Sequence, residues 1–186
     1  MDLVMSSVMH GKVAVLANDR IGPFFESRKG LRQGDPLSPI LFNTAVDVLN
    51  TLIVNAVDCG LLEGLAENLV EGGVSMLQYA DDTIFMFQDS LESARNLKSI
   101  LCIFEQLSGL KINFHKSELY CFGRAKEKVQ DYSAIFTCAV GSVPFKYLGV
   151  PVHHSRLSKE NWGGVEEKVE KKLHTWAGKQ NSYGGA

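Results

Sequence analysis

Val74-Ser75-Met76-Leu77-Gln78-Tyr79-Ala80-Asp81-Asp82-Thr83-Ile84-Phe85-Met86-Phe87 holds two apolar, β-prone runs around a short acidic break. That pattern predicts a hairpin of strands 74–80 and 83–87 with Asp81-Asp82 at its tip. Adjacent carboxylates repel, so placing two at one turn is costly. A divalent cation removes the conflict, and hard oxygen ligands suit Mg²⁺. Two-metal phosphoryl transfer needs carboxylates fixed in this way. The competing reading is an ordinary solvent-exposed Asp-Asp turn, since turns favour Asp for local reasons. Both readings stand on the pair alone.

Upstream, Gly30-Leu31-Arg32-Gln33-Gly34-Asp35-Pro36-Leu37-Ser38-Pro39 carries two glycines and two prolines and reads as a loop. Ser38 then Pro39 suits an N-cap followed by the first helical position. Leu41, Ala45, Val48, Leu49, Leu52 and Ala56 follow at helical spacing, and Gly60 is the natural stop. Further upstream, residues 1–9 read as the end of a helix. Lys12–Leu16 and Pro23–Ser27 read as a hairpin turning at Asn18-Asp19.

Downstream, Asp89 with Glu92 looks like a capping box. It opens a helix whose apolar face is Leu91, Ala94, Leu97, Leu101, Phe104 and Leu107, stopped at Gly109. Lys111–Phe114 and Glu118–Phe122 are expected as a strand pair, with His115, Lys116 and Ser117 at its turn. Phe145–Val152 is extended, broken by Gly149 and Pro151. A last helix from about Lys159 aligns Trp162, Val165, Val169, Leu173 and Trp176 on one stripe, with both tryptophans expected in the core. This order of hairpins and helices predicts an α+β fold.

The 186 residues suffice for one domain with a core and part of a second. With 45% apolar and 22% charged residues the chain has the composition of a folded globular protein. Its net charge of −2 does not mark a nucleic-acid binder, so such a role must rest on local clusters. Cys59, Cys102, Cys121 and Cys138 are widely spaced, with no CxxC pair, and are expected to be reduced thiols of an intracellular protein. His153 and His154 are neighbours on an extended stretch and would point apart, which disfavours a shared metal. No apolar run is expected to span a membrane, and no signal or transit peptide is evident.

The loop and the acidic hairpin together carry a resemblance. Gly30–Pro39 resembles motif B of reverse transcriptases, and Tyr79-Ala80-Asp81-Asp82 resembles their motif C. Ser108-Gly109-Leu110-Lys111-Ile112-Asn113, followed by Lys116-Ser117, looks like motif D. Tyr147-Leu148-Gly149-Val150-Pro151 looks like motif E, the primer-grip hairpin. The wording is most similar to non-LTR, LINE-type retrotransposons of the plant kind; group II intron and telomerase-type enzymes fit less well. Four motifs in order over residues 24–179 make a specific match.

The resemblance implies a polymerase palm, an antiparallel sheet with helices on one face. Residues 1–152 would be a partial palm; 153–186 would be a linker and the start of a helical thumb. It implies an RNA-directed DNA polymerase that adds a dNTP to a DNA primer on an RNA template, with Mg²⁺ or Mn²⁺ held by Asp81 and Asp82. Lys116 would be the general acid for the leaving pyrophosphate, against a solvated turn lysine as the alternative. Arg32, Gln33, Gly34 and Tyr79 would meet the nucleotide and template, with an exposed surface arginine at Arg32 and a packing residue at Tyr79 as the alternatives. Tyr147, Leu148 and Gly149 would form the primer grip. Lys168, Lys171, Lys172 and Lys179 could follow a duplex backbone, although the interleaved Glu166, Glu167 and Glu170 equally describe a solvated helix face.

Such enzymes use a third carboxylate, from a strand of motif A, and no aspartate before Gly30 suits it: Asp2 is terminal and Asp19 is in a turn. The chain by itself is therefore expected to be inactive. It is also expected to expose a sheet edge through which it could self-associate. Two alternatives are a nucleic-acid-binding module without catalysis and a decayed element with no selected role. Copying into chromosomal DNA, as LINE-type elements do, would imply the nucleus.

Overall fold

The computed structural model describes residues 12–26, 30–31, 34–65, 73–153 and 156–180. Its first ribbon joins β1 (Lys12–Val13) to β4 (Phe25–Glu26) and β2 (Leu16–Ala17) to β3 (Arg20–Ile21), all antiparallel. The turn is Asn18-Asp19, both at positive φ, where Asn and Asp pay less than other side chains. The expected hairpin forms, but in two short ladders. Leu16, Ile21 and Phe24 on it are 66, 70 and 67% exposed, so its apolar residues have no cover among the described residues.

Helix α1 (Ser38–Asp58) begins one residue earlier than Ser38 as a cap would allow. Leu37 is the cap residue, and the Asp35 carboxylate accepts from its backbone N–H at 2.9 Å. Asp35, not Ser38, therefore organises the entry, because its side chain reaches an amide two residues ahead. Leu49, Ile53 and Ala56 are buried, while Val48, expected on the same face, is 43% exposed. Gly60, at φ +69, turns the chain so that Leu61 N–H returns to the Ala56 carbonyl at 2.8 Å. By length and composition α1 is apolar enough to cross a membrane, contrary to the expectation that no run would be. It also carries an exposed polar face of Asn43, Asp47, Asn50, Thr51 and Asn55, and its buried face packs on the next helix.

Strands β5 (Met76–Tyr79) and β6 (Asp82–Phe85) form the central hairpin. An antiparallel bridge between Leu65 and Val74 extends its base. Gly73 is needed there: at φ +72, an added Cβ would lie 3.1 Å from the Gly64 backbone.

Helix α2 (Leu91–Ser108) is capped by Ser90, whose hydroxyl accepts from the Ser93 N–H. The cap was expected at Asp89. That carboxylate is instead occupied by the Tyr132 hydroxyl, which donates to it at 2.6 Å, and by Lys128 at 3.1 Å. These two donors hold its carboxyl below the ordinary carboxylate range. Ala94, Leu97, Leu101 and Phe104 are buried as expected, whereas Leu107, the penultimate residue of the helix, is 68% exposed. Gly109, at φ +70, closes the helix.

The segment after α2 corrects the expected strand pair. Ile112 N–H is taken by the Glu105 carboxylate at 2.7 Å, and Asn113 knits a turn over Phe114–Lys116. With those amides used locally, 111–114 is not a strand. Strand β7 (Glu118–Leu119) instead pairs in parallel with β8 (Ala139–Val140). Between them lie a 3-10 turn (Gly123–Lys128) and helix α3 (Val129–Phe136), neither expected from sequence. Tyr132 and Phe136 on α3 are buried against Phe87.

Strands β9 (Phe145–Tyr147) and β10 (Val150–Val152) form a last hairpin, and α4 (Lys159–Gln180) touches β10. The tryptophans were expected in the core, yet Trp162 is 38% and Trp176 65% exposed. Val169 and Leu173 on the same stripe are open as well, at 51 and 57% exposed. The core is thus α1, α2 and α3, with Met76, Phe85 and Phe87 of the hairpin segment packed on it. The architecture is α+β, as expected. The helix expected over residues 1–9 and the Gly-rich end lie outside the described residues.

Candidate nucleic-acid and metal site

The register of the central hairpin decides where its carboxylates stand. Met76 pairs with Phe85, Leu77 with Ile84, Gln78 with Thr83, and Tyr79 with Asp82. The loop is therefore Ala80-Asp81, one residue earlier than Asp81-Asp82. Asp82 opens the second strand. Because side chains alternate, Met76, Gln78, Thr83 and Phe85 share one face, the one packed on the helices. Leu77, Tyr79, Asp82 and Ile84 share the other.

The inner face braces the turn. The Gln78 side-chain amide donates to the Ala80 carbonyl at 2.6 Å, and its oxygen accepts from the Thr83 hydroxyl at 2.6 Å. Ala80 itself is held at φ +50, a conformation uncommon for a residue with a Cβ. The outer face is open: Asp81 and Asp82 are exposed, and Tyr79, directly opposite Asp82, is 60% exposed. Tyr79 is thus not a packing residue. The site has two adjacent, hydrated carboxylates on a braced turn and an aromatic ring beside one of them. Their oxygen donors suit a hard divalent cation. Among the described residues no third metal-ligating side chain joins them.

The other expected residues lie on separate elements. Gly34 sits before α1 at φ +84, and an added Cβ would have nothing within 4 Å, so its backbone angle rather than crowding calls for glycine. Arg32 and Gln33 lie outside the described residues. Lys116 is exposed in the turn after α2, where its N–H donates to the Asn113 carbonyl at 3.0 Å. Leu148 and Gly149 form the β9–β10 turn, at φ +51 and +85, with Tyr147 half-buried beside them. The Lys168 ammonium lies 3.4 Å from where a Cβ on Gly149 would be. No hydrogen bond or ion pair among the described residues joins Gly34, Lys116 or the 147–149 turn to Asp81 and Asp82. The chain brings together Asp81, Asp82 and Tyr79 directly. Gln78 and Thr83, the brace, were not singled out from sequence, although a Gln–Thr pair flanking the loop symmetrically is a readable signal.

Residues 4–152 match the model of the reverse transcriptase (RNA-dependent DNA polymerase) family. The chain is similar to two retrovirus-related Pol polyproteins from the type-1 retrotransposable element R2 of Popillia japonica. One is 27% identical over 143 residues, covering 70% of this chain and 19% of the relative. The other is 24% identical over 166 residues, covering 85% of this chain and 26% of the relative. An uncharacterized mitochondrial protein of Arabidopsis thaliana is 44% identical over 55 residues, 30% of this chain and 45% of that protein. The chain thus spans about a fifth to a quarter of the length of the two Pol polyproteins it matches. With the family model covering most of its length, the chain belongs to the reverse transcriptase (RNA-dependent DNA polymerase) family.

Proposed function

We propose that this chain forms part of the palm of an RNA-directed DNA polymerase. Residues 1–152 would be palm and 153–186 a linker leading into a thumb helix. The observation that carries the reading is the braced turn, which holds Asp81 and Asp82 in solvent with Tyr79 beside them. Asp81 and Asp82 would hold Mg²⁺, for which Mn²⁺ could substitute. When bound, such ions activate the primer hydroxyl and offset charge on the leaving pyrophosphate.

The chain's own residues would do the rest. Tyr79, Gly34, Gln33 and Arg32 would position the dNTP and the RNA template. Tyr147, Leu148 and Gly149 would seat the DNA primer. Lys116 would give a proton to the leaving pyrophosphate oxygen as its charge develops. Two carboxylates do not complete a two-metal site, so a further ligand would come from outside the described residues.

Mn²⁺ binding followed by electron paramagnetic resonance tests the metal assignment. Asp81→Asn and Asp82→Asn should each abolish it, with far-UV circular dichroism unchanged. Binding that survives both substitutions would refute the assignment. Primer extension on an RNA template tests the chemistry. The 186-residue polypeptide alone should show none; extension that Asp81→Ala abolishes would overturn the expectation that this chain is inactive by itself.

A further inference from the structure

Where α2 meets the segment that follows it, the surface is hollowed by residues that do not include the acidic turn. There a cleft of about 430 Å³ is lined by Lys98, Lys111, Asn113, Phe114, His115 and Thr137, together with Ile112. No lining residue is acidic. Neither lysine forms an ion pair among the described residues, where the one described salt bridge is Lys128–Asp89. The nearby Glu105 carboxylate is engaged by the Ile112 N–H at 2.7 Å.

How Lys98 is held matters most. Its ammonium stands 3.3 Å from the centroid of the Phe114 ring, and the residue is half-buried. A salt bridge would position a lysine and neutralise it. An aromatic face positions it and leaves the whole charge in place. The cleft therefore presents a pre-positioned cation, a second cation at Lys111, and hydrogen-bonding side chains at Asn113, His115 and Thr137. That set matches a phosphate oxyanion. The volume exceeds one phosphate and falls in the range of small-molecule sites, about 300–1,000 Å³. Largely open to solvent, it can take one segment of a longer strand.

We propose that this cleft binds the phosphodiester backbone of single-stranded nucleic acid, separately from the site at Asp81 and Asp82. Free phosphate or pyrophosphate shares the chemistry, and the experiment separates the sources. Amide resonances of the 186-residue chain are followed during titration with a short oligouridylate, with pyrophosphate and with inorganic phosphate. The oligonucleotide should shift Lys111, Asn113, His115 and Thr137 at concentrations at least tenfold below either small anion. Lys98→Gln with Lys111→Gln should remove those shifts, Lys98→Arg with Lys111 intact should keep them, and Lys126→Gln should change nothing.

Fluorescence anisotropy gives an independent reading. Each phosphate contact to a single strand contributes about 0.7 to the slope of log K against log salt, so the double variant should lose about 1.4. No shift at these residues with any probe, or shifts and slope unchanged in the double variant, would overturn the proposal. Shifts by pyrophosphate at equal or lower concentration would overturn the nucleic-acid assignment. Because the readout is local to 111–137, failure of the metal assignment at Asp81 leaves it unaffected.

Discussion

Gly141→Ala is a small change with a large expected effect. Gly141 lies just past β8, and its φ is outside the left-handed region, so the backbone itself would tolerate alanine. Space would not. An added Cβ would stand 2.4 Å from Tyr120 Cε1 and 2.6 Å from Cζ. Carbon contacts settle at about 3.5–4.0 Å, so the ring must retreat by about 1 Å. It is not free to do so. Tyr120 is stacked on Phe145 at a centroid distance of 4.1 Å and hydrogen-bonded to Glu118. Loss of an aromatic pair costs about 0.5–1.5 kcal/mol, and overpacking of this kind about 1–3 kcal/mol. The variant should therefore lose about 1–3 kcal/mol in urea unfolding. With the ring removed by Tyr120→Ala, adding Gly141→Ala should cost less than about 0.5 kcal/mol more. Equal costs in the two backgrounds would refute the reasoning. Absorbance at alkaline pH gives a second check. Burial and the neighbouring Glu118 push the Tyr120 hydroxyl up from 10.0 to about 12. The folded state holds that proton more tightly, so this stabilisation is full below pH 10.0 and is lost as pH rises toward about 12. Gly141→Ala should bring the titration back toward 10.0.

Other expectations follow from single features. Leu101→Ala, at a site 3% exposed between packed helices, should cost about 2–5 kcal/mol in the same urea assay. Ala80→Gly should stabilise the hairpin by about 1 kcal/mol, because φ +50 suits glycine; a loss on thermal melting would contradict this. Asp89 is more acidic folded than unfolded, so its link to Tyr132 and Lys128 is full above 3.8 and fades as pH falls below it. Asp89→Asn should flatten the acid limb of a stability–pH curve. Leu173→Gln should change stability by less than about 0.5 kcal/mol, as a side chain without cover in the monomer. A larger loss, or sedimentation showing a dimer that this change dissolves, would mean the α4 stripe is an interface.

Periodicity made the long elements legible. Leu49, Ile53 and Ala56 on α1, and Ala94 to Phe104 on α2, announce their buried faces at spacings of three and four. Gly60 and Gly109 announce the stops. Short elements were harder. The pairing of β7 with β8 joins residues about twenty apart, and nothing local in Glu118-Leu119 names its partner. The Glu105 carboxylate that diverts Ile112 from a ladder acts across seven positions, beyond any turn rule. The caps failed for two reasons: at α1 the Asp35 carboxylate takes the Leu37 N–H locally, and at α2 the tertiary donor Tyr132 occupies Asp89 and leaves Ser90 to cap. The final stripe was legible as a pattern, but amphipathicity does not say whether a cover exists. At the acidic turn, the residue types were plain and the register was not. A one-residue difference moved Asp82 from the loop into the strand, and so onto the face shared with Tyr79.

The brace behind that turn has a consequence for how the sequence can drift. Gln78 both gives a hydrogen bond to the Ala80 carbonyl and takes one from Thr83. A change at either position alone leaves the other with an unanswered polar group on the face toward the helices. Tolerated changes should therefore arrive in pairs: a polar pair exchanged for another polar pair, or both positions turned apolar together. Deep mutational scanning of positions 78 and 83 would reveal the coupling as viable doubles built from failing singles. The aspartates in front could then persist unchanged while the scaffold behind them was rewritten.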